Sequence, residues 1–198
     1  DEIAQNLPAC ATLACENKAA ADKVSKVIGS KLFRVYYSDD IIGAQIGGAV
    51  KNVIAIACGI AIGRGLGNNA RAALITRGIA EIGRLCSKMG GRPETLMGLS
   101  GIGDIMLTCA SEKSRNMSLG IEIGKGVKLE ILLANGKTVE GVATSRSVSD
   151  LAIKLGVDMP ITNAIKAILH DNASIERTIN ALLERPFTEE ENYTNPGK

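Results

Sequence analysis

A single lysine lies in the middle of the most apolar stretch of this sequence. Residues 41–62 are almost all small or apolar, and only Gln45, Lys51 and Asn52 interrupt them. An ammonium group in such surroundings needs a carboxylate partner or a place at the floor of a cleft. A lysine held in this way is suited to donate or accept a proton in catalysis. The alternative is a structural lysine that reaches the surface or pairs with a buried acid.

A second polar pair follows a glycine-rich turn at residues 98–103. Asp104 and Thr108 are four residues apart, so in a helix both side chains lie on one face. The turn is not a phosphate-binding P-loop, because no strand precedes it and the lysine of that motif is absent. Asp104 is either an acid that orients a reacting group or simply a first-turn acid that favours the start of a helix.

A third polar group, Ser114-Arg115-Asn116, precedes another helical segment. A planar guanidinium, a hydroxyl and an amide near a helix start suit a phosphate or a carboxylate. The alternative is a solvated loop with capping residues. If Lys51, Asp104 and this triplet converge, they form a general acid or base, an orienting acid and an anion clamp. Their separation in sequence leaves that convergence open.

Composition removes several other classes of function. One histidine, His170, excludes a multi-histidine metal site, and a formal net charge of +2 with five aromatic residues gives no basis for nucleic-acid binding. The five cysteines form no C-x-x-C pair, which favours buried free thiols in a reducing cytosol. Residues 41–62 have the length of a membrane span, but the central Lys51 argues against that interpretation.

The pattern of elements changes after residue 38. Residues 11–15, 17–28 and 32–37 read as strand, helix and strand, which is one βαβ unit. The rest of the chain contains helical patterns and essentially no strand. Three glycines of the apolar stretch, Gly43, Gly47 and Gly48, predict the close approach of a neighbouring element. Helices are predicted at 41–62, 69–89, 129–134, 142–155, 160–170 and 175–184, with N-cap candidates at 38–40 and at Ser174 and helix ends at Gly90 and Gly156.

Seven stretches in order resemble bacterial NAD(P)-dependent glycerol-3-phosphate dehydrogenase. They cover the chain from about residue 7 to residue 187, and such a series is far more specific than a single short motif. The stretches are residues 47–57, 67–78, 91–95, 98–104 with 107–109, 114–116, 139–141 and 159–162.

The resemblance implies a mainly α fold. The expected fold is an all-helical C-terminal dehydrogenase domain, like that of 6-phosphogluconate dehydrogenase, preceded by a short α/β remnant of a Rossmann-like domain. The expected units are the remnant at 1–38, the helical substrate-binding and catalytic domain at 39–187, and a polar tail at 188–198. The implied reaction reduces dihydroxyacetone phosphate to sn-glycerol 3-phosphate, with NAD or NADP as the cofactor and no metal.

Residue roles also follow from the resemblance. Lys51 matches the catalytic proton donor, and Asn52 beside it would support its position. The substrate would contact Lys51, Asp104, Thr108, Ser114, Arg115 and Asn116. The cofactor would contact Arg115, Thr138 and Glu140.

Two departures from the family pattern accompany these matches. Residues 62–66 differ from the usual family sequence, and neither the glycine-rich dinucleotide fingerprint nor a second family lysine occurs. We therefore expect the chain to be the C-terminal part of the enzyme and inactive alone. The alternatives are a related hydroxyacid dehydrogenase with another substrate, or a non-catalytic helical dimerisation module. The expected partner is a small-molecule substrate and not nucleic acid. We expect the protein to be cytoplasmic and not integral to a membrane. A homodimer is possible.

Overall fold

The computed structural model describes residues 2–134, 136 and 138–186. A short 3₁₀ turn (Ile3–Gln5) is followed by a βαβ unit. Strands β1 (Ala9–Ala14) and β2 (Phe33–Ser38) pair in parallel, with Ala9 opposite Phe33 and Ala14 opposite Ser38. Helix α1 (Lys18–Ile28) connects them, and Asn17 caps it by accepting a hydrogen bond from the Ala20 N–H. The predicted strand–helix–strand unit is confirmed.

Helices make up nearly everything that follows. Between Lys88 and Asp104 the chain forms a 3₁₀ turn (Pro93–Met97) and a π-helical turn (Leu99–Gly103). Over residues 39–134, 136 and 138–186 no strand occurs, so the predicted mainly α fold is confirmed. The helices are α2 (Ile41–Gly63), α3 (Gly67–Lys88), α4 (Asp104–Ala110), α5 (Arg115–Gly124), α6 (Leu129–Leu133), α7 (Glu140–Leu155), α8 (Pro160–His170) and α9 (Ile175–Leu183).

Helix α2 is the centre of the fold. It is long and apolar enough to cross a membrane, but 72% of its most apolar window is buried inside the protein. Helices α3, α4, α5, α7 and α8 surround it. A helix that is apolar on all sides fits this place, because residues 52–61 are buried on every face, whereas Ile42, Gln45 and Ala49 nearer its start are exposed.

The start of α2 is fixed by Asp40. One carboxylate oxygen caps the helix through the Gly43 N–H at 2.9 Å, and the other accepts from the Arg92 N–H and the Thr95 hydroxyl. Burial alone would raise the pKa of Asp40, but these hydrogen bonds outweigh it and hold the pKa below its ordinary value. The side chain therefore selects one of the three predicted cap positions and ties α2 to the turn after α3.

Glycines let α2 and α5 approach closely. A Cβ at Gly59 would lie 2.8 Å from the Gly120 Cα and would also meet the Met117 carbonyl. Gly63 and Gly124 face each other in the same way, one turn further along. The prediction of close approach at the earlier glycines is correct for Gly43 and Gly47, but it is wrong for Gly48. No atom lies within 4 Å of a Cβ at Gly48, because that position does not face a neighbouring element.

The cysteines divide into two groups. Cys58, Cys86 and Cys109 are buried free thiols in the helical part, as predicted, whereas Cys15 is half-buried and Cys10 is exposed. The prediction of burial is wrong for Cys10, which is exposed in β1 of a sheet of only two strands. The division into units at residues 38 and 187 stays a prediction, and the predicted tail at 188–198 lies outside the described residues.

Candidate active site

Lys51 and Asp104 form an ion pair between two helices. Lys51 lies midway along α2, Asp104 is the first residue of α4, and the lysine Nζ donates to the Asp104 Oδ2. The side chains are 23% and 31% exposed, so the pair is reachable from solvent without being fully hydrated. Of the two surroundings expected for this ammonium group, a carboxylate partner or the floor of a cleft, the structure shows the carboxylate partner. Pairing with an acid also fits the alternative of a structural lysine.

The turn before α4 places Asp104. A Cβ at Gly101 would collide with the backbone of Leu96, so this tight π-helical turn requires glycine at that position. One turn into α4, the Thr108 hydroxyl donates to the Asp104 carbonyl at 2.6 Å and lies 3.5 Å from its Oδ1. The predicted common face of Asp104 and Thr108 is present.

The start of α5 carries the predicted anion-binding triplet. Ser114 is the N-cap, and its Oγ accepts from the Met117 N–H at 3.3 Å. Arg115 is the first helical residue and its side chain is 69% exposed. The free N–H groups of a helix start and a guanidinium together attract an anion such as phosphate. Ser114 is thus also a cap, as the alternative interpretation of the triplet held.

Arg115 contacts both residues predicted for cofactor binding. Its Nη2 donates to the Glu140 Oε1 at 3.3 Å, and its Nη1 donates to the Thr138 carbonyl at 3.4 Å. A guanidinium has five N–H donors, so these two bonds leave capacity for a ligand. The structure therefore brings Arg115, Thr138 and Glu140 together at the start of α7.

A buried pair of amides connects this group to α2. Asn116 donates from Nδ2 to the Asn52 Oδ1 at 2.9 Å, and both side chains are 7% exposed. Asn52 in turn donates to the Glu140 Oε2 at 3.2 Å. Because Asn52 follows Lys51 directly on α2, this bond joins the Lys51–Asp104 pair to the start of α5. The family resemblance implied that Asn52 supports the position of Lys51, but it did not predict these bonds to Asn116 and Glu140.

Sequence reasoning missed one buried acid, Glu81 on α3. Its carboxylate accepts from the N–H groups of Ile161 and Thr162 and from the Thr162 hydroxyl, so it caps the start of α8. Burial raises its pKa to about 7, although these hydrogen bonds oppose the shift. The available signal was an acid within an apolar helical pattern beside Ile82. Its contacts are structural.

The described residues form no candidate metal centre. Within residues 2–134, 136 and 138–186, no three His, Cys, Asp or Glu side chains form a group that could hold a metal ion.

Comparisons with known proteins identify the family of this chain. The family described as NAD-dependent glycerol-3-phosphate dehydrogenase C-terminus matches residues 40–180. Glycerol-3-phosphate dehydrogenase [NAD(P)+] of Parvibaculum lavamentivorans is 52% identical over 190 residues, and that of Caulobacter vibrioides is 51% identical over 190 residues. Each match covers 96% of this chain and 57% of the relative, so the chain spans little more than half of their length.

Solved structures give the same result. The crystal structure of glycerol-3-phosphate dehydrogenase from Coxiella burnetii is 44% identical, with a TM-score of 0.88 over 93% of this chain and 57% of that one. Glycerol-3-phosphate dehydrogenase from Saccharomyces cerevisiae is 27% identical, with a TM-score of 0.82 over 93% of this chain and 56% of that one. The chain belongs to the NAD-dependent glycerol-3-phosphate dehydrogenase family and carries its C-terminal domain.

Proposed function

We propose that the complete natural protein reduces dihydroxyacetone phosphate to sn-glycerol 3-phosphate with NADH or NADPH. The observation that carries this proposal is the Lys51–Asp104 ion pair, which lies one residue from the amide bridge to the start of α5. A proton donor and an anion site on adjoining helices suit a small phosphorylated ketone. The names of the relatives support the same reaction.

The substrate phosphate would bind at the start of α5. Ser114 and Arg115 lie there with the free N–H groups of the helix, and Asn116 fixes the helix against α2. A charged hydrogen bond from arginine to phosphate is stronger than a neutral one and also orients the phosphate. The carbonyl group would then extend toward Lys51, with Asp104 and Thr108 on the opposite helix.

Arg115, Thr138 and Glu140 would hold part of the cofactor. The exposed guanidinium fits an anionic dinucleotide phosphate, and its present bonds to Glu140 and Thr138 fix its direction. When bound, the nicotinamide supplies the hydride that reduces the carbonyl carbon. This donor set fits such a group, and Arg115 would serve both ligands.

Lys51 would supply the proton that balances the hydride. As the carbonyl carbon gains a hydride, the C=O π electrons move to oxygen and the Lys51 ammonium gives its proton to that oxygen. The products are the secondary alcohol and a neutral amine, which regains a proton from solvent. Asp104 holds the Lys51 Nζ in place through the ion pair. In the oxidation direction the amine accepts the proton.

Replacement of Lys51 tests this function. In the complete natural protein, Lys51→Met should lower kcat for dihydroxyacetone phosphate by about 100-fold or more, the effect expected for loss of general acid catalysis. Lys166→Met is the matched control, because Lys166 of α8 also pairs with an aspartate, at 2.8 Å; this partner, Asp171, is the C-cap of α8. Cofactor oxidation followed by absorbance measures both. Unchanged turnover in the Lys51 variant would contradict the proposal.

Two comparisons separate the alternatives. A related hydroxyacid dehydrogenase would reduce unphosphorylated ketones as well as dihydroxyacetone phosphate, whereas a site built around Arg115 should prefer the phosphorylated ketone. A non-catalytic dimerisation module would bind no NADPH in calorimetry. Preference for unphosphorylated ketones, or absence of NADPH binding by the complete protein, would favour the respective alternative.

We also propose a cytoplasmic homodimer. The family resemblance supports both, and the free cysteines of the described residues fit a reducing compartment. Met97, Met106 and Leu107 are exposed large apolar side chains of the kind that oligomer interfaces cover. Light scattering coupled to gel filtration should give the mass of two chains, and a monomer at micromolar concentration would contradict the dimer.

A further inference from the structure

Asn52 lies at the centre of a chain of hydrogen bonds that joins α2, α5 and α7. We infer that Asn52 is a positioning residue, which fixes the hydrogen-bonding polarity of Glu140 and, through Glu140, the direction of Arg115. This role deepens the proposed function and rests on it, because Arg115 matters there as a contact for the phosphate and the cofactor. This series of hydrogen bonds runs from the backbone N–H of Gly141 to the exposed guanidinium of Arg115.

The backbone of Gly141 sets the first orientation. Its N–H can only donate, and it points to the Asn116 Oδ1 at 2.9 Å. The other end of the Asn116 amide, Nδ2, therefore faces Asn52, which must present its oxygen, and the observed distance is 2.9 Å. Neither amide can be reversed without opposing two donors or two acceptors in a buried place.

The orientation of Asn116 and Asn52 determines the remaining hydrogen bonds, those to Glu140 and Arg115. Because the Asn52 oxygen is taken by Asn116, its Nδ2 points to Glu140 and donates to Oε2 at 3.2 Å. Oε1 of the same carboxylate accepts from the Arg115 Nη2 at 3.3 Å. Residue 140 must therefore accept from both sides at once, which a carboxylate does and a primary amide does not.

Tight packing around Gly141 holds the hydrogen-bonded side chains in place. A Cβ at Gly141 would lie 2.7 Å from the Asn116 Oδ1 and 2.8 Å from the Asn52 carbonyl. Asn52 and Asn116 are each 7% exposed, whereas the Arg115 and Glu140 side chains are 69% and 60% exposed. The orientation is thus set in the buried part and transmitted to the exposed arginine.

This polarity predicts a specific rescue. In Glu140→Gln, the oxygen of the new amide must face the Asn52 donor, so its nitrogen opposes the Arg115 donor. In Asn52→Asp, two carboxylates oppose each other. In the double variant N52D/E140Q, the carboxylate now at position 52 accepts a hydrogen bond from Asn116 and a second one from the nitrogen of the amide now at position 140. The oxygen of that amide accepts from Arg115. The double variant restores every bond that each single variant breaks.

Steady-state kinetics of the complete natural protein measure the rescue. Glu140→Gln should raise KM for dihydroxyacetone phosphate about fivefold, the upper end for an exposed ion pair, and N52D/E140Q should return it to within about twofold of the parent. Asn163→Asp is the matched control, because the Asn163 oxygen accepts from Ser149 and so the aspartate keeps that bond. A double variant as impaired as the two single effects combined would overturn the inference.

Thermal unfolding of the same proteins tests the inference independently of activity. Glu140→Gln should lower Tm when residue 52 is asparagine and raise Tm when it is aspartate, because it then removes the opposed carboxylate. A change of the same sign in both backgrounds would overturn the positioning role. If the parent fails to reduce dihydroxyacetone phosphate while the sign reversal is present, the proposed function fails and the role of Asn52 stands.

Discussion

Helices α2 and α5 meet at two places that differ in chemistry. Toward their C-terminal ends, Gly59 and Gly63 pack against Gly120 and Gly124 with backbone on backbone. Toward the start of α5, Asn52 and Asn116 join by a buried hydrogen bond of 2.9 Å. The glycine contact has no side chain to orient, whereas the amide contact has an obligatory direction.

The difference separates two tasks on one helix pair. The glycines set how closely the helices approach, because a Cβ at these positions would collide with the opposite backbone. At this helix separation the Asn52 and Asn116 amides form a hydrogen bond, and its direction fixes which atom of Asn52 points to Glu140 and so to Arg115. All the proposed catalytic residues lie at the amide end or beside it. Changes at the glycine end should therefore act mainly on folding stability, and changes at the amide end mainly on kcat or KM.

The largest effect is expected at the glycine contact. Gly59→Ala should destabilise the protein by about 3–4 kcal/mol, because its Cβ would collide with the backbone of Met117 and Gly120, which cannot yield as a side chain can. Urea unfolding followed by circular dichroism measures the loss. Gly120→Ala should have a comparable effect, since it faces the same contact from α5.

Gly48 provides the control on the same helix. A Cβ there meets no atom within 4 Å, so Gly48→Ala should leave stability unchanged or raise it by up to about 1 kcal/mol through helix propensity. Equal losses at Gly48 and Gly59 would show that helix propensity, and not the close contact, governs the effect.

The second effect is a pH dependence of stability that arises from Glu81, a buried acid with no proposed role in turnover. Its pKa in the folded protein is about 7, raised from 4.5 by burial. The folded state therefore binds a proton more tightly than the unfolded state, and the associated stability is complete below about pH 4.5. It is lost as the pH rises toward and through 7, by about 3 kcal/mol in total.

The slope of stability against pH measures this contribution. We expect Glu81→Gln to remove it, so the difference in unfolding free energy between parent and variant should change between pH 4.5 and pH 7.5. Kinetic constants of the folded variant should stay close to those of the parent, since Glu81 caps α8 and contacts no proposed ligand site. A difference that is constant over this pH range would contradict the assignment.

At the amide end, Arg115→Ala should raise KM for dihydroxyacetone phosphate by about 30-fold, corresponding to about 2 kcal/mol for a charged hydrogen bond. Unfolding should change little, because this arginine and its partner Glu140 are both exposed. Steady-state kinetics and thermal unfolding on one preparation test both statements. A large fall in Tm with an unchanged KM would place Arg115 with the structural contacts instead.

The smallest effect is expected at Thr108. Thr108→Val keeps the shape of the side chain and removes the hydroxyl that bonds to Asp104, at a cost of about 1 kcal/mol. We expect a decrease in kcat of about fivefold with KM little changed. Met106→Leu, an exposed substitution on the same helix, should leave kcat unchanged. Equal rates in the parent and the Thr108 variant would show that the hydroxyl contributes only to helix α4.

Much of the fold follows from local sequence. Ser174 caps α9 where predicted, Pro160 begins α8 and Gly156 ends α7 with a positive φ of 67°. These predictions succeed because a cap or a proline acts on backbone atoms a few residues away. The predicted role of Gly48 failed because helical position relative to a neighbour is not a local property.

The candidate site divides in the same way. Sequence by itself determined that Lys51 needs a partner, because an ammonium group within an apolar helix is costly when unpaired. Only the tertiary structure decided that the partner is Asp104, 53 residues away, and that Asn116 directs Asn52 toward Glu140. Local patterns specify what a residue requires, but which group satisfies it depends on how helices distant in sequence pack together.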